Sequence, residues 1–307
     1  AGSGAVTLNA AGAIVDDSDA STVVTGGVLT ADAAGAITID STVTSADIST
    51  SAAGAIALDE TDGITLTDLD TTDGSITVSA GGALTATDVV AGGGTGDSVT
   101  LSTTTGGAVA TLVTGADAVS ITADAGDITI GAVTATAGTL GVTATTGSIN
   151  DAADDSTADF TAVGLITLTA QDEIGVLGSG TDTDLEFAAS SSVNVSTTGT
   201  GAIDLDGLGA LTLSDVDTAD GTITVTSGGA LTVTDVATGN NNAIALTTSS
   251  GDITGLATVN AGSGAVTLNA AGAIVDDSDA STVVTGGVLT ADAAGAITID
   301  STVTSAD

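Results

Sequence analysis

The side chains of this sequence that could do chemistry are carboxylates. The chain has 307 residues, of which 39 are Asp or Glu, and it contains no Lys, Arg, His or Cys. A Ser or Thr nucleophile usually needs a His or Lys base, and zinc sites normally need His or Cys. Two kinds of chemistry remain open, which are cation binding by carboxylates and hydrolysis by a pair of carboxylates.

The acids are clustered, and we expect divalent cations, calcium above all, as the cofactor. Calcium takes six to eight oxygen ligands from Asp side chains and backbone carbonyls in flexible turns. The alternative is that Asp only forms turns and keeps the surface soluble. The candidate metal ligands are Asp16, Asp17, Asp19, Asp68, Asp70, Asp73, Asp151, Asp154, Asp155, Asp215, Asp217 and Asp220. Two further crowded stretches contain Asp59, Glu60 and Asp62, and Asp182, Asp184 and Glu186.

The clusters are not EF-hands. In the segment that starts at Asp68, Gly74 falls one place too late for the EF-hand turn, and Ser79 stands where the closing Glu is needed. Paired-carboxylate hydrolysis of sugars is the catalytic alternative. The chain has no Trp or Tyr to stack on a sugar and no basic side chain to hold an acidic one. We also expect the acids to lie in turns that are copied around an array, and not in one cleft. We therefore expect that the protein is not an enzyme.

The net charge of −39 also argues against two classes of partner. Nucleic-acid binding depends on Lys and Arg that neutralise phosphates, and anionic membranes repel an acidic surface. No apolar run approaches the roughly 18 residues that a membrane span requires. We expect neither nucleic-acid binding nor membrane insertion.

The elements that carry the acids belong to a tandem array. Residues Ala261–Asp307 repeat Ala1–Asp47 without one change, at an offset of 260. We therefore divide the chain into residues 1–260, one full repeat, and residues 261–307, the start of the next identical repeat, within one continuous solenoid. Inside the repeat a shorter motif recurs about eleven times at intervals of about 24 residues, which is typical of coiled repeats.

Each short unit alternates apolar and polar residues, as in Ile76-Thr77-Val78-Ser79, which predicts strands. A unit of two or three strands cannot close a core alone, whereas stacked units share one aliphatic column. The predicted fold is all-β, a parallel β-solenoid with about 11 coils per 260-residue repeat. The alternative, a β-sandwich or barrel, does not explain repeats that continue past the duplicated ends.

An older duplication lies inside the repeat. Ile64–Val89 matches Leu211–Val236 at 18 of 26 positions at an offset of 147, whereas Gly12–Thr22 resembles Gly147–Thr157 at an offset of 135. The difference between the two offsets predicts about twelve extra residues in the second half of the 260-residue repeat, between Val163 and Gly201.

The units at Gly4–Ile14, Gly27–Ile37 and Ile244–Ile253 resemble the coils of filamentous-haemagglutinin-type bacterial surface proteins. The resemblance implies very long exported adhesins and fibres, built as right-handed parallel β-helices. It implies an extracellular or cell-surface location, and no catalytic or binding motif of the family is present to carry over.

We expect a structural protein that forms an extracellular fibre or cell-surface layer by axial stacking of coils. Its partners would be other copies of the repeat, in the chain and in lateral or end-to-end assembly, and divalent cations. About 13 coils at about 4.8 Å each give one charge per about 1.6 Å, close to duplex DNA, so divalent cations, high salt or low pH must neutralise the surface. The alternative is an adhesin stalk or binding module, calcium-dependent or with an ice-binding face of pairs such as Thr65-x-Thr67 and Thr85-x-Thr87.

Overall fold

The structure is a computed structural model that describes residues 2–16, 23–153, 155–175, 184–278 and 283–307. The chain divides into two compact units, Ala1–Gly147 with Ala162–Gly164, and Ser148–Thr161 with Leu165–Asp307. Both units are parallel β-solenoids, and the described part of the chain contains one turn of 3-10 helix, Gly239–Asn241. No helix in the described ranges is long and apolar enough to cross a membrane.

The strands up to residue 147 are β1 (Val6–Ala10), β2 (Ile14–Val15), β3 (Val24–Thr25), β4 (Val28–Ala33), β5 (Ile37–Thr42), β6 (Ser45–Ala53), β7 (Ile56–Glu60), β8 (Ile64–Asp73), β9 (Ile76–Ala80), β10 (Leu84–Ala86), β11 (Val89–Ala91), β12 (Val99–Thr103), β13 (Ala108–Gly115), β14 (Val119–Ala123), β15 (Ile128–Ala135) and β16 (Leu140–Ala144).

The strands from residue 148 onward are β17 (Ile149–Asp151), β18 (Phe160–Ala162), β19 (Ile166–Ala170), β20 (Leu185–Phe187), β21 (Ser191–Thr197), β22 (Ile203–Gly207), β23 (Leu211–Thr218), β24 (Ile223–Ser227), β25 (Leu231–Val233), β26 (Asp235–Thr238), β27 (Ile244–Thr248), β28 (Ile253–Leu256), β29 (Thr258–Asn260), β30 (Val266–Ala270), β31 (Ile274–Asp276), β32 (Val283–Ala293), β33 (Ile297–Thr298) and β34 (Ser301–Ala306).

Interior strands pair in parallel with the equivalent strand one coil earlier and one coil later, and the strands of the first and last coils pair on one side. In the first unit Ile76 of β9 pairs with Ile56 of β7 on one side and with Val99 of β12 on the other. In the second unit β24 pairs in the same way with β22 and β27. The predicted parallel β-solenoid is confirmed, and the antiparallel pairing of a sandwich is absent from the described strands that have an assigned register.

The alternation of residues along each strand builds the core. Ile76 and Val78 are fully buried, whereas Thr77 between them is exposed. The buried column consists of Val, Ile, Leu and Ala, and the two aromatic residues of the sequence, Phe160 and Phe187, are both buried in the second unit. The aliphatic core expected from the composition is therefore present.

The identical segments fold with the same register. In the first copy Val6 pairs with Leu29, and in the second copy Val266 pairs with Leu289, which are the same positions 260 residues later. The boundary at residues 260 and 261 stays a prediction, as does the handedness of the coils. Each compact unit also contains one half of the older duplication, because Ile64–Val89 lies in the first unit and Leu211–Val236 in the second.

Candidate cation site

The aspartates that follow Ile64 lie on a strand, and their predicted position in a turn was wrong. Asp68 and Asp70 are exposed residues of β8, with the buried Leu69 between them. Thr67 and Asp68 are both exposed, so the alternation breaks there and the strand bends around a corner of the coil. The apolar residues on both sides of the corner stay in the core, and this keeps the segment extended.

Corner aspartates of successive coils form a stack in the first unit. Asp47 of β6 is the register partner of Asp68. Asp88 precedes Val89, the register partner of Leu69, and so lies beside Asp68 on the other side. Adjacent strands are about 4.8 Å apart, so like charges lie close together. Burial, and then the charges of Asp68, Asp88 and Asp47, raise the pKa of Asp70 above its usual range.

The second unit has an equivalent stack. Asp215 on β23 takes the place of Asp68, and Asp235 takes the place of Asp88. Asn194 is the register partner of Asp215 and donates a 3.4 Å hydrogen bond from Nδ2 to its carboxylate. Burial, and then the charges of Asp215 and Asp235, raise the pKa of Asp217 to about 6. One oxygen of Asp217, Oδ1, is buried without a hydrogen-bond partner.

The other predicted ligands do not gather at one place, and three of them lie outside the described residues. Asp73 is exposed at the end of β8, and Asp220 lies in a bend, where its carboxylate accepts a 2.8 Å hydrogen bond from Asn242 Nδ2. Asp16 is half-buried just after β2. The predicted ligands outside the described residues are Asp17, Asp19 and Asp154.

Asp155 is satisfied within its own turn. Its Oδ1 accepts hydrogen bonds of 2.7 Å from the backbone N–H of Thr157 and of 2.6 Å from the Thr157 hydroxyl. These bonds lower the pKa of Asp155. Asp155 therefore does not join Asp151 in the group of acids that the sequence predicted.

Asp151 instead meets two other acids, Asp159 and Glu186. One carboxylate oxygen from each of the three residues lies within 4.8 Å of the other two. Asp159 is 3% exposed and Glu186 is 1% exposed, whereas Asp151 is half-buried. We call these three residues the acidic triad, and it is the single group of this kind in the described ranges.

The aromatic pair positions the triad. Phe160 of β18 and Phe187 of β20 are register partners, and their rings stack with centroids 5.4 Å apart at an interplanar angle of 28°. Asp159 and Glu186 each precede one of these phenylalanines, so the same register places them side by side. The backbone fixes this pairing, because Asp159 N–H donates to Glu186 O at 3.0 Å and Glu186 N–H donates to Asp159 Oδ2 at 2.9 Å.

The triad has too few donors for its oxygens. Asp151 Oδ1 accepts a 2.9 Å hydrogen bond from Ala153 N–H, and Asp159 Oδ2 accepts the bond from Glu186 N–H. Glu186 Oε1 is buried and has no hydrogen-bond partner. Beside Asp151, the buried Asn150 also has an Oδ1 atom without a donor.

Glu60 in the first unit is the contrasting case. It is 1% exposed, like Glu186, but its carboxylate accepts hydrogen bonds from the Ser41 hydroxyl and from the backbone N–H of Val43 at 3.1 Å. A weak bond from Asp62 N–H, at 3.5 Å, reaches its second oxygen. Glu60 is therefore stabilised by protein donors, whereas Glu186 is not.

Burial and mutual repulsion favour the uncharged forms of the triad. Burial, and then the neighbouring Asp159, raise the pKa of Glu186 to about 10. Burial raises the pKa of Asp159 to about 7, and burial also raises the pKa of Asp151. The chain supplies no Lys, Arg or His to oppose these charges. The triad is therefore neutralised either by protons or by a cation from outside the protein.

The sequence contained a signal for Asp159 that the clustering of acids did not reveal. The two phenylalanines of the chain occur as Asp159-Phe160 and Glu186-Phe187. Both pairs fall near or within the stretch where the twelve extra residues of the second half were predicted. The expectation that acids gather only in copied turns was wrong for this triad, because it occupies one non-repeated place.

The paired threonines do not extend into a regular face. Thr65 and Thr85 are register partners, but Val109 takes the same place in the next coil. In the second unit Thr212, Thr232 and Thr254 form a single column over three coils. The column in the first unit ends after two coils, so it lacks the length of an ordered Thr array.

Comparisons with known proteins found no match to a protein family, to a curated protein or to a solved structure. The resemblance to filamentous-haemagglutinin-type coils stays an expectation based on the motifs.

Proposed function

We propose that this chain is a segment of a structural protein, a long extracellular fibre or cell-surface layer that grows by axial stacking of β-coils. Its acidic surface would be neutralised by cations. Its partners would be other copies of the same repeat, and no catalytic role is proposed.

The observation that supports this proposal most directly is the equivalence of successive coils. The interior strand β24 pairs in parallel over the same five residues, Ile223–Ser227, with β22 and with β27. The identical segments at Val6–Ala10 and Val266–Ala270 pair with their next coils in the same register. A stack with this property has no built-in end, which suits a protein whose length is its function.

Two further features fit a structural role. Acids replace the mixed charges of an ordinary surface, and the chain has no basic residue to pair with them. The outward residues are mostly Thr, Ser, Asp and Ala, which suit a solvated surface. The ice-binding alternative is less well supported, because the Thr column of the first unit ends after two coils.

A length series tests the proposal. We would compare the 307-residue chain with versions extended by one and by two further 260-residue periods. Each added period should lengthen the particle by about 53 Å, from about eleven coils at about 4.8 Å, with an unchanged cross-section. Small-angle scattering and electron microscopy, recorded with calcium and salt present, measure both quantities.

A series in which the cross-section grows, or in which added periods form separate globules, contradicts the proposal. As a control, a version extended by the 260-residue period in shuffled order should not add the same increment. This control separates ordered stacking from the mere addition of mass.

A further inference from the structure

We propose that the acidic triad of Asp151, Asp159 and Glu186 binds one divalent cation, with calcium as the expected ion. The site would occur once among the described residues and not once per coil. The proposal does not depend on the fibre function, since a fibre without the site and a site without the fibre are both physically possible.

The spacing of the oxygens fits calcium. Calcium–oxygen distances are about 2.3–2.6 Å, so two ligands on opposite sides of the ion lie about 4.6–5.2 Å apart, and other pairs lie closer. The three carboxylates each offer an oxygen within 4.8 Å of the others. Three carboxylates supply between three and six oxygens, and water or backbone carbonyls complete a shell of six to eight.

The buried oxygen of Glu186 is an independent sign of a missing partner. Glu186 is 1% exposed and its Oε1 accepts no hydrogen bond. A buried carboxylate oxygen without a donor is costly unless a cation or a proton compensates it. Glu60 is equally buried, but both of its carboxylate oxygens accept hydrogen bonds, from Ser41 and Val43, so neither oxygen lacks a donor. Burial of an acid alone therefore does not define the site.

The composition restricts which cation can be bound. The chain has no Lys, Arg or His, so the positive charge must be a metal ion or a proton. One proton shared by Asp159 and Glu186 would leave the carboxylate of Asp151 beside them without a counter-charge. The absence of His and Cys and the all-carboxylate donor set favour a hard cation over zinc or copper.

The surroundings of the triad differ from those of the corner stacks. Asp68 and Asp70 are exposed, so cations near them stay hydrated and exchange freely. Asp159 and Glu186 lie beside the stacked Phe160 and Phe187 and are excluded from solvent. Salt screens charges in solvent far more than it screens buried pairs. Binding at the triad should therefore survive salt concentrations that abolish diffuse binding.

This difference gives the experiment. The full chain, stripped of metal, is titrated with calcium in about 1 M NaCl, where the Debye length is about 3 Å. We expect one saturable event with one ion per chain. Glu186→Gln, which keeps the size of the side chain, should weaken that event at least about tenfold, as loss of a charged ligand does. Asp215→Asn, in a corner stack, should leave it unchanged.

Thermal melting provides the second measurement. Calcium should raise the melting temperature of the wild-type protein in high salt and should have little effect on Glu186→Gln. The variant should melt no lower than the wild type in chelator, because it replaces a buried carboxyl group whose Oε1 has no hydrogen-bond donor. A wild type with no stoichiometric event and equal melting with calcium and chelator overturns the proposal and assigns the triad to a shared proton. An event of equal affinity in Glu186→Gln overturns it as well.

Discussion

At the scale of the residue, the same carboxyl group is stabilised in three different ways in this chain. Glu60 is buried and hydrogen-bonded by Ser41 and Val43. Asp68 is exposed to solvent in a stack of like charges. Glu186 is buried without a donor for Oε1. Burial together with a missing donor distinguishes Glu186 from Glu60 and Asp68, and the half-buried Asp217 shares the missing donor.

Asp217 gives a prediction for the pH dependence of stability. Its pKa is about 6 in the folded protein, raised first by burial and then by Asp215 and Asp235. Its register partners, Ser196 and Ala237, are uncharged. The folded state binds the proton more tightly than the unfolded state, so this residue costs no stability below about pH 4. The free energy of unfolding falls as the pH rises through about 6.

Asp217→Asn removes that loss of stability. The variant should match the wild type near pH 4 and exceed it above pH 7 by about 1–2 kcal/mol, after a discount for solvent screening of a part-exposed group. Urea unfolding at the two pH values, in chelator and moderate salt, measures the difference. Asp155→Asn is the control, and it should lower the free energy of unfolding at neutral pH, because hydrogen bonds lower the pKa of Asp155. If Asp217→Asn follows the wild type at both pH values, burial of the carboxylate is not destabilising.

At the scale of the element, many of the short repeated units carry a Gly two residues before Ile, as in Gly74-Ser75-Ile76 and Gly221-Thr222-Ile223, and this Gly lies where successive coils come close together. A Cβ on Gly221 would lie 2.0 Å from the carbonyl oxygen of Gly201 in the preceding coil. The same approach occurs in the first unit, where a Cβ on Gly74 would lie 2.5 Å from Gly54 O. The motif therefore carries Gly because the stack leaves no room for a side chain.

Gly221→Ala should consequently destabilise the second unit by about 1–3 kcal/mol, the usual cost of overpacking, because the backbone of two coils must separate. Gly12→Ala is a matched control at the same motif position, since nothing lies within 4 Å of a Cβ there. That variant should be neutral or more stable by up to about 1 kcal/mol, through the unfolded state. Chemical denaturation of the two variants checks the contrast, and equal effects would show that coil contact does not explain the motif.

The strands and their parallel stacking could be predicted because they depend on local alternation and on a repeated spacing. Ile56, Ile76 and Val99 recur at the start of equivalent strands, and the structure pairs them in that order. The corner at Asp68 could not be predicted from alternation, because the alternation breaks there while the strand continues. The prediction of a turn is therefore wrong for Asp68 and Asp70, which lie on a strand.

The triad was harder to predict for a different reason. Asp159 and Glu186 become neighbours through the register of Phe160 with Phe187, in a segment that the repeat does not specify. Repeat logic gives the register only where coils are equivalent. Of the predicted ligands, Asp151 alone belongs to the triad, because the nearby Asp155 is held by Thr157 in its own turn.

At the scale of the whole molecule, stability is set by an aliphatic core against unopposed negative charge. Hydrophobic residues make up 42% of the sequence, which is enough for a continuous buried column in each unit. The net charge is −39, with no basic side chain. Self-repulsion of this kind destabilises a compact state, and mobile ions relieve it. The folded state should therefore depend on ions in a way that has two separable parts.

The first part of this dependence on ions is diffuse screening of the surface charge, and the second is the proposed specific binding of calcium at the triad. At neutral pH in chelator, added NaCl should raise the melting temperature by about 5–10 °C between low and high salt, as relief of a few kcal/mol of repulsion would. Glu186→Gln should keep this salt response, because the corner stacks around Asp68 and Asp215 are intact in the variant. Calcium added after the salt response has saturated should raise the melting temperature further in the wild type alone. Differential scanning calorimetry at several salt concentrations separates the two responses.

A chain that melts at the same temperature at low and at high salt does not need counterions to fold. The charge of its surface must then be offset within the protein by raised pKa values such as that of Asp217.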